Sequence, residues 1–178
     1  MFSCPIAKIG YFLCFQLERK LTYIMKWDLQ TIDRYLEAKE YIDTAVIPIS
    51  SIDLGENCKE GLTQLQTLLQ TTQLVEEQLQ GRVMLFPLYT DVGQADQNIR
   101  YQLLQTYTEE LKQNGFPHVL WVGFSRDKLL WAGASDDLFF VFLEDFISLE
   151  KEAQGNDLRQ LADKIQHEIM NLWKKDKM

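Results

Sequence analysis

The sequence predicts a three-layer α/β domain: a mostly parallel sheet of four strands or slightly more, with helices on both faces. Three observations carry this reading. Short runs at 44–49, 83–86, 118–124 and 138–143 are apolar almost throughout, the composition of strands buried on both faces. Longer stretches between and after them repeat apolar residues at helical spacing, so strands and helices alternate as in βαβ units. At 178 residues, 46% hydrophobic and 25% charged, the chain can bury one sizeable core, and one domain is expected.

The composition shifts at Met25. Residues 1–24 carry Lys8, Arg19 and Lys20 against Glu18, a net +2 that leaves −10 on the remainder of a chain whose formal charge is −8. The apolar residues 9–15 are fewer than the roughly 18–20 of a membrane span, and no small-x-small cleavage site precedes Glu18. Glu18-Arg19-Lys20 can be encoded by a purine-rich run like a bacterial ribosome-binding site upstream of Met25. Residues 1–24 are therefore expected to be a leader, a tail or a mis-called start outside the fold, with 25–178 as the single α/β domain. An amphipathic, membrane-touching arm is the other reading.

From Trp27, the residues Leu29, Ile32, Tyr35 and Leu36 mark a short helix with Asp28 as its N-cap. The strand at 44–49 follows, and Pro48 is expected at its end because a central strand cannot spare the amide. After a polar loop, Leu62, Leu65, Leu68, Leu69, Val75 and Leu79 form the stripe of a long helix closed by Gly81, with the Gln and Thr residues of 64–80 on its solvated face. The strand at 83–86 is ended by Pro87 and followed by a loop over 89–93.

Ile99, Leu103, Leu104, Tyr107 and Leu111 give the next helix, stopped by Asn114-Gly115 with Pro117 beyond. The third strand is 118–124, a helical turn is expected over 125–132, and the fourth strand is 138–143. From Asn156, the residues Leu158, Leu161, Ile165, Ile169, Leu172 and Trp173 form an amphipathic helix whose last turn carries Lys174-Lys175, where cations suit the helix dipole. Trp121, Trp131, Phe139, Phe140 and Phe142 are read as core or lid residues.

Charge and composition narrow the function classes. An acidic chain, with pI near 4.8 and no Lys/Arg cluster, is not expected to bind nucleic acid. Cys4, Cys14 and Cys58 have no C-x-x-C spacing, which fits a reducing, cytoplasmic setting and a free Cys58 thiol. The histidines are His118, opening a strand, and His167, within the last helix; a hydrolytic metal site needs three or more convergent ligands, so no metal or other cofactor is expected. No G-x-S-x-G, P-loop or G-x-G-x-x-G is present, and Glu109-Glu110 and Asp136-Asp137 read as solvated pairs. The chain leans away from catalysis. No integral membrane segment is expected, a protein partner is left open, and the oligomeric state is undetermined.

One location is favoured by geometry, because open parallel sheets bind ligands outside the carboxyl ends of their strands. The residues placed there are Ser50, Ser51 and Asp53, then Tyr89, Thr90 and Asp91, then Ser125 and Arg126.

The run Lys39-Glu40-Tyr41-Ile42-Asp43-Thr44-Ala45-Val46-Ile47-Pro48, preceded by Met25-Lys26-Trp27, resembles the YpiF-like family of small proteins from Gram-positive spore-forming bacteria, a domain of unknown function. Gly81-Arg82-Val83 and Gly115-Phe116-Pro117-His118-Val119 look like the same pattern, over residues 25 to about 175. A more distant likeness is to the creatinine amidohydrolase family, whose strand ending L-P-x-G-S-x-E-x-H-G is matched by residues 47–56, with Asp53 at a carboxylate position but Gly55 where the histidine belongs. That family's N-x-H-G-G-N loop corresponds to Val122-Gly123-Phe124-Ser125-Arg126-Asp127, which lacks a histidine. These resemblances imply a creatininase-like or Rossmann-like arrangement without the metal ligands. The function they imply is a non-catalytic interaction or regulatory protein on a degenerate hydrolase-like fold. The alternatives are a small-ligand binder using the loops at the carboxyl ends of the strands, or a degenerate amidohydrolase.

Overall fold

A computed structural model describes residues 25–52, 54–91, 96–125, 138–144 and 151–175, the stretch 151–156 by its backbone alone. In chain order the elements are α1 (Ile32–Ala38), β1 (Thr44–Ser51), α2 (Cys58–Gln78), β2 (Val83–Leu85), β3 (Tyr89–Asp91), α3 (Gln97–Gln113), β4 (His118–Phe124), β5 (Phe139–Leu143) and α4 (Lys151–Lys175). The strands run parallel in the order β2-β1-β4-β5, and β3 pairs with the distal part of β1.

Alternation along the strands sends successive side chains to opposite faces. Ala45, Ile47, Ile49, Met84 and Trp121 pack on one face with Tyr35 of α1 and Leu104 of α3. Val46, Leu120, Val122 and Val141 pack on the other with Leu68 and Val75 of α2 and Ile165 and Ile169 of α4. The three-layer α/β fold expected from the strand runs is the fold the chain adopts.

Pro48 lies inside β1, paired with Val122, and not at the strand's end as expected. Thr44 N–H donates to Arg82 O, Val46 O accepts from Phe86 N–H, and Ile52 N–H donates to Asp91 O, so the even-numbered residues of β1 point their backbone groups toward the β2–β3 edge. Pro48 points its missing donor the same way, into the break between Leu85 and Tyr89. The stretch from Tyr89, expected as loop, returns to β1 as β3 once Pro87 has ended β2.

The helices depart from their expected stripes in a consistent way. The Asp28 carboxylate caps the turn before α1, accepting from Gln30 and Thr31 N–H at 2.9 and 3.0 Å, and Leu29 and Leu36 are exposed. On α2, Leu62 and Leu69 are exposed while Gln64, Thr67, Thr71, Thr72 and Glu76 are buried, which overturns the solvated Gln/Thr face. Thr67 and Thr72 hydroxyls donate to the Thr63 and Leu68 carbonyls at 3.0 Å, so threonine enters the core with its polar atom satisfied within the helix. On α3, Ile99 and Leu103 are exposed and Arg100, Leu104 and Thr108 are buried.

Asn114 ends α3 as expected, and Gly115 follows at φ +104°, a backbone that strains any other residue. Helix α4 begins earlier than expected, at Lys151, and its Trp173 indole donates to Thr44 Oγ1 at 2.8 Å. Trp121 is in the core as expected. Residues 1–24, Asp53, Trp131 and most of the turn expected over 125–132, Arg126 included, lie outside the described residues. Among the described residues no helix is long and apolar enough to cross a membrane.

Candidate functional site

The β1–β3 register brings together five of the residues singled out from the sequence: Ser50 lies beside Thr90, Ser51 beside Asp91, and Ile49 beside Tyr89. Alternation puts Ser50 and Thr90 on one face, and Ser51, Tyr89 and Asp91 on the other. Ser125 lies at the end of β4, where its hydroxyl donates to Leu143 O at 2.9 Å and ties β4 to β5.

Tyr89, Asp91 and Ser125 are committed to the scaffold. The Tyr89 ring meets Trp121 edge-on at 5.7 Å, and burial first, then the Asp91 charge, pushes its phenol pKa up while Arg100 pulls it down. Asp91 forms an ion pair with Arg100 of α3, and the two side chains are about nine-tenths buried. Arg100 Nη2 has no hydrogen-bond partner. Arg100 escaped the sequence reading although its signal is present: it stands four residues before Leu104 and eight before Thr108, on the helix face that enters the core.

On the same sheet face, nearer the amino ends of the strands, α1, α3 and the end of β2 enclose a pocket of about 520 Å³. Its wall is a circuit of four rings. Trp27 stacks on Phe86 at 5.4 Å, Phe86 meets Phe116 edge-on at 5.3 Å, Phe116 stacks on Tyr35 at 5.8 Å, and Tyr35 meets Trp27 edge-on at 6.1 Å. Ile32, Leu36, Tyr107 and Leu111 complete the apolar lining, and Lys39, Glu110 and Asn114 supply polar groups. Local chemistry builds this wall. Met25 O accepts from Leu85 N–H and Trp27 N–H donates to Leu85 O, so residues 25–27 extend the sheet beside β2 and hold the Trp27 ring over Phe86. The Gly115 turn after α3 delivers Phe116 to the floor, where it is 2% exposed.

Burial raises the pKa of the Tyr35 and Tyr107 phenols, which keeps them neutral across the physiological range. The pocket was not legible in the sequence, because its rings come from four separate segments. His118 lies at the amino end of β4, as expected, and His167 is exposed on α4. Among the described residues no three His, Cys, Asp or Glu side chains converge as a metal site requires.

A family model described as "Protein of unknown function (DUF2487)" matches residues 33–175. The chain is 32% identical over 148 residues to "Uncharacterized protein YpiF" of Bacillus subtilis (strain 168), an alignment that covers 83% of this chain and 95% of that protein. No solved structure matches.

Proposed function

The chain belongs to the DUF2487 family of proteins of unknown function, and within that family we propose that it is a non-catalytic binding protein with an interaction or regulatory role, taking a small ligand with an apolar body in the aromatic pocket between α1 and α3. The observation that carries this is the cluster of Trp27, Phe86, Phe116 and Tyr35 that walls one side of a pocket of about 520 Å³. Ligand pockets are concave, largely apolar, a few hundred to about 1,000 Å³ in size, and carry a few placed polar groups. At the carboxyl ends of the strands, the Ser125 hydroxyl, the Asp91 carboxylate and the Tyr89 ring are instead engaged by Leu143 O, Arg100 and Trp121.

The test is a thermal-shift screen of small aromatic compounds against the wild type and Leu36→Trp, a change at an exposed pocket-lining position that fills the mouth. Compounds that bind the native pocket raise the melting temperature of the wild type and not of the variant. Equal shifts in both proteins would place binding elsewhere.

A second reading is favoured by the β1–β3 register, which aligns Ser50, Ser51, Thr90 and Asp91 at the strand ends where parallel sheets bind ligands. A polar ligand there would still bind Leu36→Trp and would be lost on Ser51→Lys.

A further inference from the structure

Resting on the pocket reading above, we propose that the ligand is a zwitterion with an apolar body, of the apolar α-amino acid class, whose carboxylate meets Lys39 and whose ammonium meets Glu110. The pocket wall is aromatic, but its polar lining carries one charge of each sign. Lys39 makes no ion pair with a described residue. Glu110 accepts from Asn114 Nδ2 at 2.9 Å through Oε1 alone, which leaves Oε2 for a ligand donor. The two side chains do not pair with each other, although both line the same pocket.

A singly charged ligand would pair with one of these groups, whereas a zwitterion pairs with both. A volume of about 520 Å³ has room for an aromatic amino acid. The four rings offer faces and edges to a flat or branched apolar group. The Tyr35 and Tyr107 hydroxyls make no hydrogen bond to another described residue, and as neutral phenols they are available as donors to the carboxylate.

The experiment is calorimetric titration of the full chain with L-phenylalanine, phenethylamine, 3-phenylpropanoate and 3-phenylpropanamide. L-Phenylalanine is expected to bind at least about tenfold more tightly than each of the other three, the worth of one charge-assisted hydrogen bond. Lys39→Gln should lower its affinity to that of phenethylamine, and Glu110→Gln to that of 3-phenylpropanoate. Both residues are exposed, so the variants retain the fold. Equal binding of all four compounds, unchanged by either substitution, would overturn the zwitterion while the pocket stands. Preference for one of the singly charged compounds would overturn it in the same way. Binding of none of the four, or binding that survives Leu36→Trp, would overturn the pocket and the proposal together.

Discussion

Glu76 is fully buried on α2, with Oε1 accepting from Met25 N–H at 2.7 Å and Oε2 without a partner. Burial pushes its pKa from 4.5 up to about 7, against the opposing effects of the Met25 amide and Lys26. A carboxyl whose folded pKa is raised stabilises the fold in its protonated form. That contribution is complete below the unfolded value and is lost as pH rises from about 4.5 through about 7. Glu76→Gln should flatten this slope and leave the variant more stable than the wild type at pH 8, by up to about 3 kcal/mol. Parallel stability–pH curves from urea unfolding would contradict it. The buried Asp91–Arg100 pair gives the opposite case, since Arg100→Met strands a carboxylate and should cost about 3 kcal/mol, while the double change Asp91→Leu/Arg100→Met should cost less than the single one. Glu76 was not legible as a core member, because apolar periodicity does not read a polar residue whose partner, here Met25, lies far away in the chain.

Each strand run was legible as a unit because β-rich apolar residues buried on both faces leave few alternatives. The stripes of α2 and α3 were not. On α2 the leucine stripe and the solvated Gln/Thr face are partly reversed, with Leu62 exposed and Thr67, Thr71 and Thr72 buried, and on α3 Leu103 is exposed. Thr71 Oγ1 is the exception among these, buried with no hydrogen-bond partner. Thr71→Val removes that polar atom at nearly constant shape and should stabilise the protein by about 1 kcal/mol, seen as a raised denaturation midpoint with an unchanged slope. At the β1–β4 contact, a Cβ on Gly123 would stand 3.1 Å from Ile49 O and 3.2 Å from Ile49 Cγ2. Gly123→Ala should therefore push two central strands apart and destabilise by roughly 1–3 kcal/mol in the same assay. An unaltered midpoint would mean that the strands yield without strain.

For the molecule as a whole, a parallel sheet between two helical layers was legible from the alternation of apolar runs and amphipathic stretches. The pocket was not, because it exists only once Trp27, Tyr35, Phe86 and Phe116 are gathered from the segment before α1, α1, the end of β2 and the turn after α3. The strand-end residues were legible in position, and the β1–β3 register aligns Ser50, Ser51, Thr90 and Asp91, but sequence gave no sign that Arg100 neutralises Asp91. On the shift of charge at Met25, removal of residues 1–24 is expected to leave the thermal melting midpoint nearly unchanged, within about 2 °C. Binding of ligand between α1 and α3 is tested by titrating isotope-labelled protein with indole and following amide and indole resonances by NMR. The expected shifts concentrate at Trp27, Tyr35, Phe86, Tyr107 and Leu111; shifts confined to Ser50, Ser51, Thr90 and Asp91, or no shifts at all, would contradict binding there.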